Sequence, residues 1–296
     1  MRPTELAGLL RERVVVLDGG LGSMLIAAGL PAGRAPEWWN LEHPDRVAAV
    51  HRAYVESGSD VVHANTFGAN PARLAAAGLV GRCHEVNTAA IALARDACGD
   101  RAWIAGDVGP TGKMLPPLGD ATEGELRDAF TEQANALAEA GADLISIETM
   151  GDLREAVAAV EAARTVGLAV HASMTFAARR RGAFTMMGNP LVPSLAALAN
   201  AGADVVGCNC TVASVEMLAM VAEAAPQLSV PLSAQPNAGQ PRLTPNGVVY
   251  DADPEAFARD IVAMVAAGAR AVGGCCGTTP EFIARIRAAL AAGTSE

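Results

Sequence analysis

A short phrase recurs along the chain, in which small residues around a glycine lead into an apolar run. It reads Glu56-Ser57-Gly58-Ser59-Asp60-Val61-Val62, then Glu139-Ala140-Gly141-Ala142-Asp143-Leu144-Ile145, then Asn200-Ala201-Gly202-Ala203-Asp204-Val205-Val206. A looser copy is Ala267-Gly268-Ala269-Arg270-Ala271-Val272. Glycine at a helix C-terminus takes the left-handed torsion that ends the helix, and an unbroken apolar run suits a strand covered on both faces. Each copy therefore marks a helix-to-strand junction. Extending the pattern predicts eight strands, near 14–18, 60–65, 102–107, 143–148, 167–174, 203–209, 230–236 and 269–274. Helices are predicted between them, among them 43–57, 84–97, 123–140, 152–165, 212–224, 254–267 and 280–292. Their starts carry capping chemistry: Thr122 with Glu125 three residues on, Asp253 before Pro254, and Pro280 before Glu281.

Eight strands alternating with helices, without a low-complexity linker, favour a single (β/α)8 TIM barrel domain over residues 1–296. The rival is a doubly wound sheet. The placement of polar residues decides for the barrel. Successive strands end on Asp18, Asn65, Asp107, Glu148, Thr175, Cys210, Asn237 and the Cys275-Cys276 pair. In a TIM barrel the C-terminal strand ends share one cleft, and that cleft carries the site.

Composition narrows the function. A net charge of −10 argues against nucleic acid or an anionic membrane as partner, since both require clustered Lys and Arg. No run of about 20 apolar residues is present, so no transmembrane helix is expected. Residues 1–13 are interrupted by Arg2, Glu5, Arg11, Glu12 and Arg13 and lack the apolar region of a signal peptide. A cytoplasmic location is therefore expected. Six cysteines in 296 residues are too few for a disulfide scaffold, which leaves structural thiols, metal ligands or nucleophiles.

The cysteines at strand ends carry the chemistry. Neighbours on a strand point to opposite faces, so Cys275 and Cys276 can share a site only if the surrounding glycines permit unusual torsions. Cys210, ending the sixth strand, could join them to make three thiolate ligands for Zn2+ with the fourth position open. Cys208 should face away from Cys210, and Cys83 and Cys98 read as structural thiols of a helix. The alternatives are three buried free thiols or, without metal, an oxidised Cys275-Cys276 pair. His63 and His171 lie within strands and His43, His51 and His84 at helices, where hydrogen-bonded structural roles are expected. Three thiolates make zinc a poor Lewis acid for carbonyls or water, but they suit acidification of a substrate thiol. Alkyl transfer to sulfur is the natural reaction. Asp18-Gly19-Gly20-Leu21-Gly22 is either an ordinary turn or one whose amides cradle a carboxylate, while Asp18 and Glu148 could bind an ammonium.

Together these segments resemble the homocysteine S-methyltransferase family, which includes betaine– and S-methylmethionine–homocysteine methyltransferases and the N-terminal module of cobalamin-dependent methionine synthase. The matching stretches are 18–22, Ala64-Asn65-Thr66-Phe67-Gly68, 106–112, Ile147-Glu148-Thr149-Met150, Gly207-Cys208-Asn209-Cys210, Pro236-Asn237-Ala238-Gly239 and 273–280. The resemblance implies Cys210, Cys275 and Cys276 as catalytic ligands of one zinc per chain, with no tightly bound organic cofactor. It implies Asp18, Gly19, Gly20 and Glu148 around homocysteine, and Asn65 and Asn237 in matching substrate-binding segments. The implied reaction methylates the homocysteine thiol to give methionine. The expected donor is a separate methyl-corrinoid protein, with S-methylmethionine or S-adenosylmethionine as the alternative. A non-catalytic zinc- and homocysteine-binding barrel is the alternative of another class. One stretch departs from the methionine synthase pattern: 179–190, with Arg179-Arg180-Arg181 and Met186-Met187, reads as a donor-docking surface or a packed loop.

Overall fold

The computed structural model describes residues 1–244 and 247–293. Eight strands make a parallel barrel: β1 (Val15–Val16), β2 (Val61–His63), β3 (Trp103–Val108), β4 (Leu144–Met150), β5 (Ala169–Met174), β6 (Val205–Ala213), β7 (Leu232–Asn237) and β8 (Ala269–Val272). Chain neighbours pair from β2 through β8, β8 pairs β1, and a parallel bridge between Leu17 and Val61 brings β1 to β2. The predicted TIM barrel is the observed fold.

The predicted helices appear as Pro44–Glu56, Cys83–Cys98, Glu123–Glu139, Leu153–Arg164, Ser214–Ala224, Pro254–Ala266 and Pro280–Gly293, and Leu191–Ala201 joins the ring after β5. The capping signals act as read. Thr122 and Glu125 exchange side-chain and backbone bonds, and Asp253 accepts from the Ala256 amide at 2.7 Å. The glycines of the recurring phrase, Gly58, Gly141, Gly202 and Gly268, all take left-handed torsions with φ of 99, 91, 108 and 117°.

The aspartate of that phrase also has a task that the sequence did not reveal. Asp60 accepts from the Val16 amide at 2.8 Å, Asp143 from Ile104 at 2.7 Å, and Asp204 from Val170 at 2.8 Å. Each staples the start of one strand to its neighbour at the bottom of the barrel. In the fourth copy Arg270 stands instead, and its guanidinium holds the Leu10 carbonyl at 2.7 Å. Leu10 belongs to the helix Pro3–Glu12, whose Leu6 and Leu10 plug the barrel floor against Val15, Leu17, Val61, Leu144 and Val205. Charges scattered over residues 2–13 concealed this short amphipathic element.

Strand alternation sorts the core. Val62, Ile104, Ile145, Val170, Val206, Cys208 and Val272 point outward into the layer beneath the helices. The intervening residues point inward, and above the apolar floor they turn polar: His63, Ser146, His171 and Ser233 are all buried. A TIM barrel interior usually holds branched aliphatics at such positions.

Another buried histidine, His51 on Pro44–Glu56, has no partner at either ring nitrogen among the described residues. Burial drives its pKa down to about 4, against the pull of the Asp18 charge. The folded value lies below the unfolded one near 6.5, so the unfolded chain takes up the proton first as the pH falls. Stability is thus lost between about pH 6.5 and 4. His51→Leu should shrink the drop in unfolding free energy between pH 7 and pH 5 by about 2 kcal/mol. Denaturant melts at the two pH values measure this, and an unchanged acid slope would refute it.

Candidate metal and substrate site

The cysteine pair sits beyond the end of β8, in the turn that follows Val272. Strand alternation no longer applies there, so adjacent side chains can reach one point. The glycines serve only partly as expected. Gly277, directly after the pair, has a left-handed torsion with φ of 79°, whereas Gly273 and Gly274 do not. They are needed for close approach: a Cβ on Gly274 would lie 2.4 Å from Thr278 Oγ1, and one on Gly273 would lie 2.7 Å from the Asp18 carbonyl. Among the ligand segments, left-handed torsions at residues with side chains belong to β6. Cys210 and Thr211 have φ of 59 and 66°, where β6 leaves its register with β7 between Asn209 and Ala213. A side-chain-bearing residue pays about 1–2 kcal/mol for that conformation, so its surroundings must enforce it.

Asn209 does much of the enforcing. It is buried, its Oδ1 accepts from the Thr149 amide at 2.8 Å and from Ser173 Oγ at 2.8 Å, and its Nδ2 donates to Thr149 Oγ1 at 2.7 Å. Thr149 is itself left-handed with φ of 62°. The same Nδ2 reaches Cys275 Sγ at 3.8 Å. From β7, the Pro236 carbonyl accepts from the Cys275 amide at 2.9 Å, and Asn237 Oδ1 accepts from the Cys276 amide at 3.1 Å.

The result is a sulfur trio. Cys210, Cys275 and Cys276 all lie within 4.8 Å of one another, with Cys210 Sγ and Cys276 Sγ 3.7 Å apart. Tetrahedral zinc with Zn–S bonds of about 2.3 Å places its sulfurs about 3.8 Å apart, so the set fits a thiophilic cation. The S–H groups of Cys275 and Cys276 stabilise a thiolate at Cys210 and pull its pKa down to about 3. Holding those protons pushes Cys275 and Cys276 upward, the latter to about 11. The other cysteines are placed as expected. Cys208 faces the helices, while Cys83 and Cys98 are buried in helical packing, and burial raises all three thiols.

The trio overlooks a cavity of about 570 Å3. Gly19, Gly20, Asn65 and Glu148 line it with the three cysteines, as the strand-end pattern suggested. Asp18 and Asn237 stand one layer back. Both Asp18 oxygens face His63, Oδ1 to Nδ1 at 2.6 Å and Oδ2 to the backbone amide at 2.9 Å. The Gly20 amide is donated to Thr278, and Asn65 Nδ2 to the Pro36 carbonyl and to Asn40. Thr175 lies off the lining and donates its amide to the Met150 carbonyl. Burial raises the Glu148 carboxyl to about 7, although the His63 charge opposes it. Burial, reinforced by Glu148, raises Asp107 well above the usual carboxylate range against the pull of the His63 charge, and Asp107 Oδ1 has no partner among the described residues. A further positive group in the cavity would favour the ionised forms of both carboxyls. Asp107, one of the strand-end residues expected at the cleft, also lines the cavity, as do His63 and Gln235, which the sequence reading did not include in the site. Gln235 shares the inward parity of its strand with Ser233, a signal that could have found it.

The chain matches the homocysteine S-methyltransferase family over residues 15–290. It belongs to that family. It is 33% identical to a methionine synthase of Mycobacterium tuberculosis and 31% identical to that of Mycobacterium leprae, in each case over 97% of this chain. The chain spans about a quarter of the length of these relatives, 25% of each. The metallated form of the homocysteine methyltransferase MmuM of Escherichia coli superimposes with a TM-score of 0.79 at 26% identity, covering 96% of this chain and 99% of that one. Among the described residues, no helix is long and apolar enough to cross a membrane.

In this family member, the cysteine turn depends on close backbone packing. Gly274→Ala should cost about 1–3 kcal/mol, because the new methyl meets Thr278 at 2.4–2.6 Å. Thermal unfolding checks this; an unshifted Tm would show that the turn yields freely.

Proposed function

We propose that this chain methylates the thiol of homocysteine to give methionine, with one zinc ion held by Cys210, Cys275 and Cys276. The observation that supports it is the convergence of three thiols within 4.8 Å at the rim of a carboxylate-floored cavity. Zinc bound there would acidify a substrate thiol, whose sulfur would remain nucleophilic because the cysteine sulfurs donate charge to the metal. The chain's own residues hold the rest of the amino acid. Glu148 receives the ammonium, with Asp18 behind it and Asp107 beside it. The cavity-lining segment Gly19–Ser23 lies on the carboxylate's side, with its Gly20 amide already donated to Thr278. Asn65 shapes the wall, and Asn237 acts through the Cys276 amide.

For the donor we favour a methyl-corrinoid protein acting in trans in the cytoplasm. Its support is the likeness to methionine synthases and an apolar rim on the site's side of the barrel. Met114 and Leu118 after β3 and Met186 after β5 are 50%, 60% and 78% exposed. The stretch 179–190 begins within the hairpin of Ala177–Arg179 with Gly182–Phe184 and is anchored by buried Ala183 and Thr185. It presents Arg179, Arg180 and Arg181 outward. A second reading, S-methylmethionine as a free donor, draws on the cavity, which extends past the space for one amino acid to Arg34 and Arg73.

Metal analysis of reduced protein should return one zinc per chain, and Cys276→Ala should lower the zinc content at least tenfold; full retention by the variant would sink the ligand assignment. In methylation assays on homocysteine, turnover should require methyl-corrinoid protein. Turnover with S-methylmethionine alone would select the second reading, and homocysteine binding without turnover on any donor would select a non-catalytic role.

A further inference from the structure

Five buried side chains form one hydrogen-bonded line across the barrel interior. Asp18 Oδ1 meets His63 Nδ1 at 2.6 Å, and His63 Nε2 meets Ser146 Oγ at 3.0 Å. Ser146 Oγ then meets His171 Nδ1 at 2.9 Å, and His171 Nε2 meets Ser233 Oγ at 2.6 Å. The line begins at the cavity floor and ends beneath β6, where Ser233 fills the space that a side chain on Gly207 would need.

A hydroxyl donates one proton, and a ring nitrogen either donates or accepts. With Asp18 ionised, His63 Nδ1 must be the donor to it. Two patterns then satisfy every link. If His63 also carries a proton on Nε2, Ser146 accepts it and donates to His171 Nδ1, and His171 Nε2 donates to Ser233. If His63 is neutral, all three links reverse and His171 carries its proton on Nδ1. One proton on His63 therefore sets the tautomer of a ring on another strand.

The charges around His63 choose between the patterns. Asp18 after β1, Asp107 on β3 and Glu148 on β4 face it, with His171 on β5 and His51 on the helix Pro44–Glu56 nearby. Burial holds His51 and His171 neutral, at about 4 and about 3. Burial also works against charge on His63, but Asp18, by charge and hydrogen bond, with Asp107 and Glu148, outweighs it and lifts the ring to about 10.

We propose that Asp18, Asp107 and Glu148 hold His63 as an imidazolium whose second ring proton the Ser146–His171–Ser233 line accepts, and that this makes it a positioning residue for the substrate's amino-acid end. The ring keeps Asp18 turned from the cavity and balances its charge, leaving Glu148 as the carboxylate that receives the ammonium. With His63 neutral, Glu148 would lose the positive charge that opposes its protonation, and a protonated acid would face the substrate. This role rests on the homocysteine reading given above.

Nitrogen NMR of the whole protein with 15N-labelled histidine tests it, since only five histidines contribute. At pH 7, His63 should show two protonated ring nitrogens and His171 the Nε2–H tautomer. On raising the pH, His171 should switch tautomer together with the loss of the His63 proton. A neutral His63, an Nδ1–H His171 or independent titration overturns the proposal. Ser146→Ala should raise the dissociation constant of homocysteine about tenfold, with the circular dichroism unchanged; an unaltered constant removes the positioning role. If the parent protein binds no homocysteine, the substrate reading and the positioning role fall together, while the spectra still decide the charge on His63.

Discussion

Thr278 is the fastener between the two ends of the barrel seam. Its side chain donates to the Cys275 carbonyl at 2.6 Å and accepts from the Gly20 amide at 3.0 Å, while its own carbonyl accepts from Gly20 and from the Tyr54 hydroxyl. The glycine turn after β1 is thereby locked against the cysteine turn after β8. Everything at the site follows from how closely these two turns approach. A Cβ on Gly19 would meet Thr278 at 2.7 Å, and one on Gly20 would meet the Cys275 carbonyl at 2.6 Å. Glycines that look like an anion cradle in the sequence are also the clearance that lets the barrel close with its thiols in place.

The barrel interior sets a second condition. Replacing aliphatic layers by His63, Ser146, His171 and Ser233 sacrifices hydrophobic burial, and it is tolerable because every donor and acceptor in the line is matched. Such a network resists partial change. Removing the Ser146 hydroxyl leaves buried ring nitrogens on both sides without partners. The floor beneath it stays apolar and is plugged by Leu6 and Leu10, so the polar layer is sealed from below and open only toward the cavity.

The sequence displayed the fold because a repeated junction carries local physics: a left-handed glycine, a small-residue helix end and a buried strand. It displayed the sulfur trio because polar residues at strand ends have few structural reasons to recur in register. Other parts depend on contacts between distant segments. His63 reads as an ordinary strand histidine until closure brings Ser146, more than eighty residues away, within 3.0 Å of it. Nothing local distinguishes Gly274, needed for clearance, from a glycine needed for torsion. The same holds for Cys210, whose left-handed backbone arises from a register break that only the partner strand β7 defines.

The three thiols come from β6 and from the turn after β8, and β7 lies between them, binding the cysteine turn through Pro236 and Asn237. Two ladder spacings of about 4.8 Å therefore separate the strands whose sulfurs converge on one centre. That gap selects for donor length. A hydroxyl at these positions would stop short of the centre, and an imidazole would overshoot it. A thiol on a one-carbon stem reaches it, so the spacing of the strands is a ruler that admits cysteine.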